Sequence, residues 1–465
     1  MKTITQIFFQ VTLFIIPLMV TCQSSDLSLE YKTNAIERLS DLMNDHYVFP
    51  DVAKKTEQEL IAKLKSGYFT DYKTKDAFAN ALTEVVQSIN KDKHMRVWKN
   101  RVYETPENSP QRTVEEMMDQ LNRSRRNNLG FNTVKILEGN VGYLDLRGFA
   151  GLESGKELAD ASMKILSRAD AIIFDLSKNG GGSPRMVQYL CSYFFDKKTH
   201  LNSLYWRSTN ETEEFWTLDK VGGNKIADIP LFVIISNRTF SGAEEFSYNM
   251  QTQKRATLIG QTSGGGANPG GSMPINEHLS VFIPTGRAIN PITKTNWEGV
   301  GVIPDIKSTV EDTYDKTIDL AKDAAEDYRR EKKAKFSKLY LELHDLLINY
   351  PTSSSSKSIN DKLLESIESD VLNENRVNTL GYQFLLEYNK SETALLLFEA
   401  NINYFPESAN TYDSYAEALM LTGNYELALI NYQTAVKKAK ENRDGNLELF
   451  ENNLLALKEK LKEKK

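Results

Sequence analysis

Strands alternate with helices over the middle of the chain, and this pattern restricts the fold more than any other feature of the sequence. Apolar runs at residues 141–146, 169–176 and 230–236 predict strands, and helical patterns occupy residues 154–166, 184–195 and 243–252. Alternation of this kind is typical of a largely parallel sheet covered by helices, with short functional loops at the strand ends. The sequence therefore predicts an α/β core.

Helical patterns lie on both sides of this core. Residues 29–97 repeat apolar side chains at intervals of three and four, which predicts an all-helical N-terminal region. The polar segment that follows, residues 107–126, is shorter than the ~50 residues that a compact domain needs, so no inserted peptide-binding domain is expected there. Residues 310–350 are again helical in pattern, and the run from Pro351 to Ser356 has the composition of a flexible linker.

The chain beyond this linker contains an internal repeat. Ala394 and Ala428 are 34 residues apart, Phe398 and Tyr432 have the same spacing, and Gly381 and Ala416 fall in the matching earlier helices. This period resembles that of tetratricopeptide repeats, with residues 447–461 as a capping helix and a generic stack of helical hairpins as the alternative. The predicted domains are an export signal (1–22), an N-terminal helical region (23–125), the α/β core (126–310), a helix with the linker (311–358) and the repeats (359–465).

The first 22 residues have the pattern of an export signal. Lys2 precedes an apolar stretch at residues 7–20, which is too short and too interrupted for a good membrane span. The run at residues 18–22 resembles the box before the lipidated cysteine of bacterial lipoproteins, which makes Cys22 the expected lipidation site. We therefore expect an exported protein of the periplasm or cell envelope that is anchored only through this lipid, with simple secretion as the alternative.

The composition narrows the range of partners. The formal net charge is −6 without a basic stripe, so nucleic acid is not an expected partner. The second cysteine, Cys191, has no cationic neighbour or helix N-terminus and is interpreted as a small buried hydrophobe. No pattern predicts a metal site or a cofactor.

The most informative motif is a strand that turns directly into a helix at Ser241. The serine hydroxyl would be exposed at the helix N-terminus, where the N–H groups of Ser241 and Gly242 would be free to stabilise an oxyanion. The same residues also satisfy a capping box, in which Ser241 caps the helix and Glu244 reaches back, and this purely structural role is the alternative.

A second motif is a buried strand that ends in Gly180, Gly181 and Gly182 before a helix. Three glycines allow a substrate or an oxyanion to approach backbone N–H groups that side chains would otherwise block. A tight turn between strand and helix is the structural alternative. A phosphate loop is disfavoured, because the Lys-Ser/Thr ending of such loops is missing.

A serine nucleophile needs a base, and the histidines of the chain are His46, His94, His200, His278 and His344. His94 follows a predicted helix at a junction with an extended segment, and His278 is its main rival by position. Glu298, in a glycine-rich loop beside Trp297, is a candidate for the acid that orients the base. A histidine base predicts that activity falls with pH through roughly 6 to 7.

Together these segments resemble the tail-specific peptidase family. Residues 175–184, 239–246, 254–266 and 298–305 carry the resemblance, which is nearest to the branch of the interphotoreceptor retinoid-binding protein and the tricorn core peptidase. It implies a crotonase-like α/β core and hydrolysis of peptide or protein substrates through an acyl-enzyme. Ser241 would be the nucleophile, His94 the general base and Glu298 the orienting acid, and Gly180, Gly181, Gly182 and Gly242 would line the oxyanion hole.

This chain departs from the family at two positions. The Ser–Lys branch carries its catalytic lysine in the glycine-rich loop after the nucleophile helix, where this chain has Gly266. The residue before the histidine is a serine in the tricorn-like tetrad but is Lys93 here. A binding protein for a hydrophobic ligand or peptide on the same fold is the alternative function, and the repeats are expected to bind a protein partner.

Overall fold

The structure is a computed structural model that describes residues 27–101 and 109–463. The chain forms two compact units that divide between Glu326 and Asp327. The predicted export signal and Cys22 lie outside the described residues. Among the residues that the structure does describe, no helix is both long and apolar enough to cross a membrane.

The N-terminal region is mainly helical, as expected, but it is not all-helical. Its elements are α1 (Leu29–His46), α2 (Pro50–Lys65), α3 (Lys75–Asn90), β1 (Val97–Lys99) and α4 (Pro110–Arg126). The side chains of Ser28 and Thr74 cap α1 and α3 by accepting backbone N–H bonds, which explains where these helices begin. The prediction missed β1 because three residues are too few to show a period of two.

The core of the first unit is a six-stranded sheet in the order β12-β8-β7-β4-β3-β2. Its strands are β2 (Phe131–Leu137), β3 (Val141–Leu146), β4 (Ala171–Asp175), β7 (Leu231–Ile235), β8 (Thr257–Gly260) and β12 (Ile306–Lys307). All neighbours run parallel except β2 and β3, which form an antiparallel hairpin. The predicted largely parallel sheet is confirmed.

Helices cover both faces of this sheet. They are α5 (Leu152–Leu166), α6 (Pro184–Ser192), α7 (Gly242–Thr252) and the first part of α8 (Thr313–Ile348). Neighbouring residues of β4 serve opposite faces, since Ile173 packs with Ala321 of α8 while the ring of Phe174 stacks on Phe246 of α7 at 5.3 Å. Burial on both faces explains why these strands are continuous apolar runs.

Two small antiparallel sheets complete the first unit. One has the order β1-β10-β9, with β9 (Gly270–Pro274) and β10 (Leu279–Pro284), and the other has the order β11-β5-β6, with β5 (His200–Trp206), β6 (Glu211–Trp216) and β11 (Gly286–Ile289). Val97 pairs with Val281, and both belong to the apolar cluster formed by α1, α2 and α3. This pairing fixes the segment that follows α3, which carries His94, to the rest of the unit.

The second unit is helical. It contains the end of α8 and the helices α9 (Ser356–Glu368), α10 (Glu374–Tyr382), α11 (Ser391–Tyr404), α12 (Ala409–Leu421), α13 (Tyr425–Asn442) and α14 (Leu447–Glu463). The division between the units falls inside α8, not at the linker of residues 351–356. Ala321 and Ala325 of this helix belong to the core of the first unit, whereas Leu339 and Leu343 belong to that of the second.

Candidate active site

Ser241 lies at the turn between β7 and α7 with a strained backbone. Its φ is 55° and its ψ is −123°, a combination that residues with a Cβ rarely adopt and that costs about 1–3 kcal/mol. The turn is held by buried contacts: the Thr239 hydroxyl donates to the carbonyl of Leu176 at 2.8 Å and accepts from the N–H of Ser236 at 2.9 Å. Strain that the surroundings enforce at one serine is typical of a functional position.

The glycine loop after β4 is tied to this turn by Asn179, which is fully buried. The side-chain amide of Asn179 donates to the carbonyl of Leu146 at 2.8 Å, and its side-chain oxygen accepts from the N–H of Gly181 at 2.8 Å. Its backbone carbonyl accepts from the N–H of Phe240 at 3.0 Å. The residue before Ser241 is therefore bonded directly to the glycine loop.

Close approach of other parts of the chain explains two of the three glycines. A Cβ on Gly181 would lie 2.7 Å from both the nitrogen of Gly242 and the Cβ of Ser241, and a Cβ on Gly182 would lie 2.0 Å from the carbonyl oxygen of Phe149. Both glycines also have positive φ, at 101° and 139°. A Cβ on Gly180 would meet no other atom within 4 Å, so sterics require a glycine at residues 181 and 182 but not at residue 180.

Two of the five N–H groups that the sequence suggested for the oxyanion hole are already hydrogen-bonded within the protein. The N–H of Ser241 donates to Glu244 Oε2 at 2.8 Å, and the N–H of Gly181 donates to Asn179, so neither is free. Gly242 begins α7, where its N–H has no acceptor inside the helix. The N–H groups of Gly180, Gly182 and Gly242 remain as candidates, and a Cβ on Gly242 would lie 3.1 Å from the nitrogen of Gly182, so the last two are close together.

His94 shares a cavity with Ser241. The cavity has a volume of about 580 Å³, and Ser241, His94, Gly182 and Gly242 all line it. The imidazole lies between two rings, with centroids 4.6 Å from Phe240 and 5.6 Å from Phe282. This aromatic packing holds the imidazole of His94 in place at the surface of the cavity that Ser241 also lines.

Gly266 explains how a histidine can occupy this place. A Cβ on Gly266 would lie 2.8 Å from His94 Cε1 and 2.2 Å from Phe240 Cζ. Any side chain there, including the lysine of the Ser–Lys branch, would collide with the imidazole and with the ring beside it. The position of the His94 imidazole therefore requires a glycine at residue 266.

Two carboxylates lie behind His94, although the sequence suggested only one. Glu298 accepts from the N–H groups of Ala267 and Asn268 at 2.6 and 3.1 Å. Asp92 is fully buried, accepts from the N–H of His94 at 3.1 Å and from the side-chain amide of Asn268 at 2.9 Å. One oxygen of each carboxylate and one ring nitrogen of His94 lie within 4.8 Å of one another.

The sequence signal for Asp92 was its place two residues before the histidine, where its carboxylate can accept the histidine's own N–H. Such a turn is also common without any catalytic role. In the resting arrangement His94 Nδ1 is buried and has no hydrogen-bond partner among the described residues. Neither carboxylate is therefore bonded to this nitrogen before substrate binds, and such bonds often tighten only in the complex.

Burial sets the protonation of this group. It lowers the pKa of His94 to about 4, so the ring is neutral and able to accept a proton at neutral pH. It raises the pKa of Asp92 and that of Glu298, which is raised further by the charge of Asp92. Burial thus moves the pKa of His94 below the range of 6 to 7 expected for a histidine base from the sequence.

Within residues 27–101 and 109–463 there is one group of possible metal ligands, which consists of Asp92, His94 and Glu298. Oxygen and nitrogen ligands of this kind suit Zn²⁺. Both carboxylates, however, already accept hydrogen bonds from backbone or amide groups. The arrangement can also support proton transfer without a metal, with a neutral imidazole as acceptor.

Glu298→Gln tests which group controls the acid limb of the pH profile. As pH falls, Glu298 with its raised pKa takes up a proton before His94 does, and the negative charge that would stabilise an imidazolium is lost. We expect the substitution to lower kcat on the order of 10²-fold at pH 8 and to move the acid limb of kcat/KM downward, because the group that titrates first is gone. Glu277→Gln, at the exposed neighbour of His278, is the matched control. An unchanged limb in Glu298→Gln contradicts the assignment.

The other histidines lie elsewhere. His278 Nε2 is 2.8 Å from the carboxylate of Glu277 at the turn between β9 and β10, and His200 stacks on Trp216 at 4.5 Å. His344 belongs to the second unit, beside Tyr340. Cys191 is fully buried, and burial raises its thiol pKa well above the usual range, which agrees with a structural role.

A serine at a strained turn and a half-buried histidine that line one cavity are the groups that nucleophilic catalysis requires. The profile of peptidase family S41 matches residues 140–308, and the profile of the N-terminal domain of peptidase S41 in eukaryotic interphotoreceptor retinoid-binding protein matches residues 27–128. The chain therefore belongs to peptidase family S41, the tail-specific or C-terminal processing proteases. The resemblance suggested by the sequence motifs is confirmed.

Individual relatives are distant. The carboxy-terminal-processing protease of Bartonella bacilliformis is 27% identical over 176 residues, which are 37% of this chain and 39% of that protein. The match thus spans about two fifths of the relative's length. A candidate peptidase from Parabacteroides merdae has a TM-score of 0.45 at 17% identity and covers 62% of this chain and 96% of its own. Mature CPAF has a TM-score of 0.44 at 13% identity, with 63% and 96% covered.

Proposed function

We propose that this protein is a serine endopeptidase that cleaves peptide or protein substrates through an acyl-enzyme on Ser241. The observation that carries the proposal is the cavity of about 580 Å³ that Ser241 and His94 share at the end of the sheet. The membership of the chain in a peptidase family also supports it. In the first step the Ser241 hydroxyl attacks the scissile carbonyl carbon while His94 accepts its proton. The C–N bond then breaks as the imidazolium returns that proton to the leaving amine.

The remaining roles follow from the same geometry. The N–H groups of Gly182 and Gly242 stabilise the oxyanion, while Glu298 and Asp92 stabilise the imidazolium. Water then attacks the acyl-enzyme with His94 again as base, which releases the second product and restores Ser241. Covalent labelling by a fluorophosphonate, mapped by mass spectrometry, tests the proposal. An adduct on Ser241 supports it, and a folded protein that takes no label is instead a binding protein for a hydrophobic ligand or peptide.

We propose that the core has a crotonase-like fold and that the helices of the second unit are tetratricopeptide-like repeats. We also propose that these repeats bind a protein partner. Ala394 and Ala428, 34 residues apart, are both fully buried, and so are Phe398 and Tyr432 to within 2%. A Cβ on Gly381 would lie 2.7 Å from the ring of Phe398, so a small residue is required there. In this proposal the two repeats are α10 with α11 and α12 with α13, and α14 is the capping helix.

We also propose that the protein is exported and anchored in the periplasm or cell envelope through lipid on Cys22. The support is the sequence of residues 1–22, with its apolar stretch and the run before the cysteine. Exported peptidases of this kind meet protein substrates outside the cytoplasm. Only the lipid, in this proposal, attaches the protein to a membrane.

Truncation tests the modular organisation. A chain that ends at Glu326 keeps Ala321 and Ala325 in contact with the sheet, so we expect it to hydrolyse short peptides at a rate close to that of the full chain. A chain that ends at residue 350 also keeps Leu339 and Leu343 but removes most of their core, so we expect similar turnover but more aggregation. Peptide turnover and light scattering measure the two effects. A folded 1–326 fragment without activity contradicts the modular picture.

A further inference from the structure

Glu244 does more than complete a capping box. Its side chain is fully buried in the first turn of α7. Oε2 accepts from the N–H of Ser241 at 2.8 Å and from that of Gly266 at 2.9 Å. Oε1 accepts from the hydroxyl of Ser263 at 2.5 Å and from the N–H of Gly265 at 2.6 Å. One carboxylate therefore joins the nucleophile turn to the loop of residues 263–266.

This loop forms the wall against which His94 lies. A Cβ on Gly266 would touch His94 Cε1, at 2.8 Å, so a small shift of the loop changes the space that the imidazole occupies. The carbonyl of Gly266 accepts from Trp297 Nε1 at 2.9 Å, and that of Gly265 accepts from the N–H of Gly299 at 3.0 Å. The same loop thus also holds the segment that carries Glu298.

We propose that Glu244 is a positioning residue of the peptidase: its side chain holds the strained turn of Ser241 and the loop of residues 263–266, against which His94 lies, in a fixed arrangement. This inference rests on the proposed function. It also explains why the N–H of Ser241 is not an oxyanion donor, since the carboxylate of Glu244 accepts from it.

An amide cannot replace this carboxylate. Four donors converge on two oxygens, and glutamine has the same shape but only one oxygen, so its NH₂ group would face either Ser241 and Gly266 or Ser263 and Gly265. At least one backbone N–H would then be buried without an acceptor, in contact with another donor. The loop and the turn must move apart to relieve that contact, and a displacement of about 1 Å between catalytic groups can lower the rate ~10²-fold.

The experiment compares Glu244→Gln with Glu153→Gln in the full-length protein. Glu153 is an exposed acid in the first turn of α5, so this control removes a carboxylate near the start of another helix. For Glu244→Gln we expect kcat for a short peptide and the rate of fluorophosphonate labelling at Ser241 to fall together by about 10²-fold, with little change in KM. The control Glu153→Gln is expected to match the wild type in kcat, in the labelling rate and in KM. A purely structural role would lower the amount of folded protein but not kcat per labelled site.

The outcomes separate the inference from the proposed function. Wild-type protein that labels at Ser241, with a Glu244→Gln variant of unchanged kcat, overturns the inference alone. Wild-type protein that neither labels nor cleaves overturns the proposed function and the inference with it. If Glu244→Gln does not fold, Ser263→Ala removes one of the four donors and keeps the charge; a smaller fall in kcat and labelling rate supports the inference, and no fall overturns it.

Discussion

We expect Ser241→Ala to lower kcat for peptide hydrolysis on the order of 10⁶-fold, because the proposed acyl-enzyme forms on the hydroxyl that this substitution removes. Ser241 is the serine that lines the cavity of about 580 Å³ together with His94. Alanine keeps the Cβ that the turn already accommodates, so the fold is expected to survive. Steady-state turnover, with circular dichroism as the check on folding, measures the effect.

The matched control for this substitution is Ser154→Ala, at an exposed serine in the first turn of α5. We expect it to retain wild-type turnover and full labelling by the fluorophosphonate, whereas Ser241→Ala takes no label. Near-normal activity in Ser241→Ala would show that this serine only caps α7. Labelling at a different serine would move the nucleophile elsewhere.

His94→Ala is expected to lower kcat by a similar factor, on the order of 10⁶, because a serine without its base is hardly nucleophilic. The ring also fills the space between Phe240 and Phe282, so some loss of thermal stability is expected as well. Turnover at saturating substrate and the unfolding temperature separate the two effects. Addition of imidazole to the variant, which has an empty space of the right shape, is expected to restore a part of the activity.

Two controls accompany His94→Ala. Lys93 is exposed next to the base, and His278 lies at a turn outside the cavity, so Lys93→Ala and His278→Ala are both expected to keep most of the activity. An inactive Lys93→Ala beside an active His94→Ala would mean that a lysine serves as the base. The position of Gly266, which packs on the imidazole, argues for the histidine.

Much of the site was visible in the sequence because its residues lie at the ends of regular elements. The strand-to-helix turn at Ser241 and the glycines after β4 could be placed from local patterns alone. His94 was only one candidate of five, and the family resemblance rather than spacing distinguished it. The structure brings it to Ser241 through the pairing of β1 with β10, and three-residue strands leave no sequence signal.

The two carboxylates Asp92 and Glu244 show more clearly what a local sequence pattern cannot predict. Glu244 had a local interpretation as half of a capping box, and its bond to the N–H of Ser241 agrees with that, whereas Asp92 was not predicted as part of the site. Their further bonds reach residues such as Asn268 and Gly265 that are distant in sequence. A local pattern contains no information on such partners.

The sequence by itself determined the α/β core, the position of the strand-to-helix turn at Ser241 and the membership of the tail-specific peptidase family, because periodicity and glycine placement depend on neighbouring residues. Only the tertiary structure decided which N–H groups remain for an oxyanion, that two carboxylates lie behind His94, and that the pKa of this histidine is low. These properties depend on burial and on hydrogen bonds between segments far apart in the chain, and both exist only once the strands and loops have packed together.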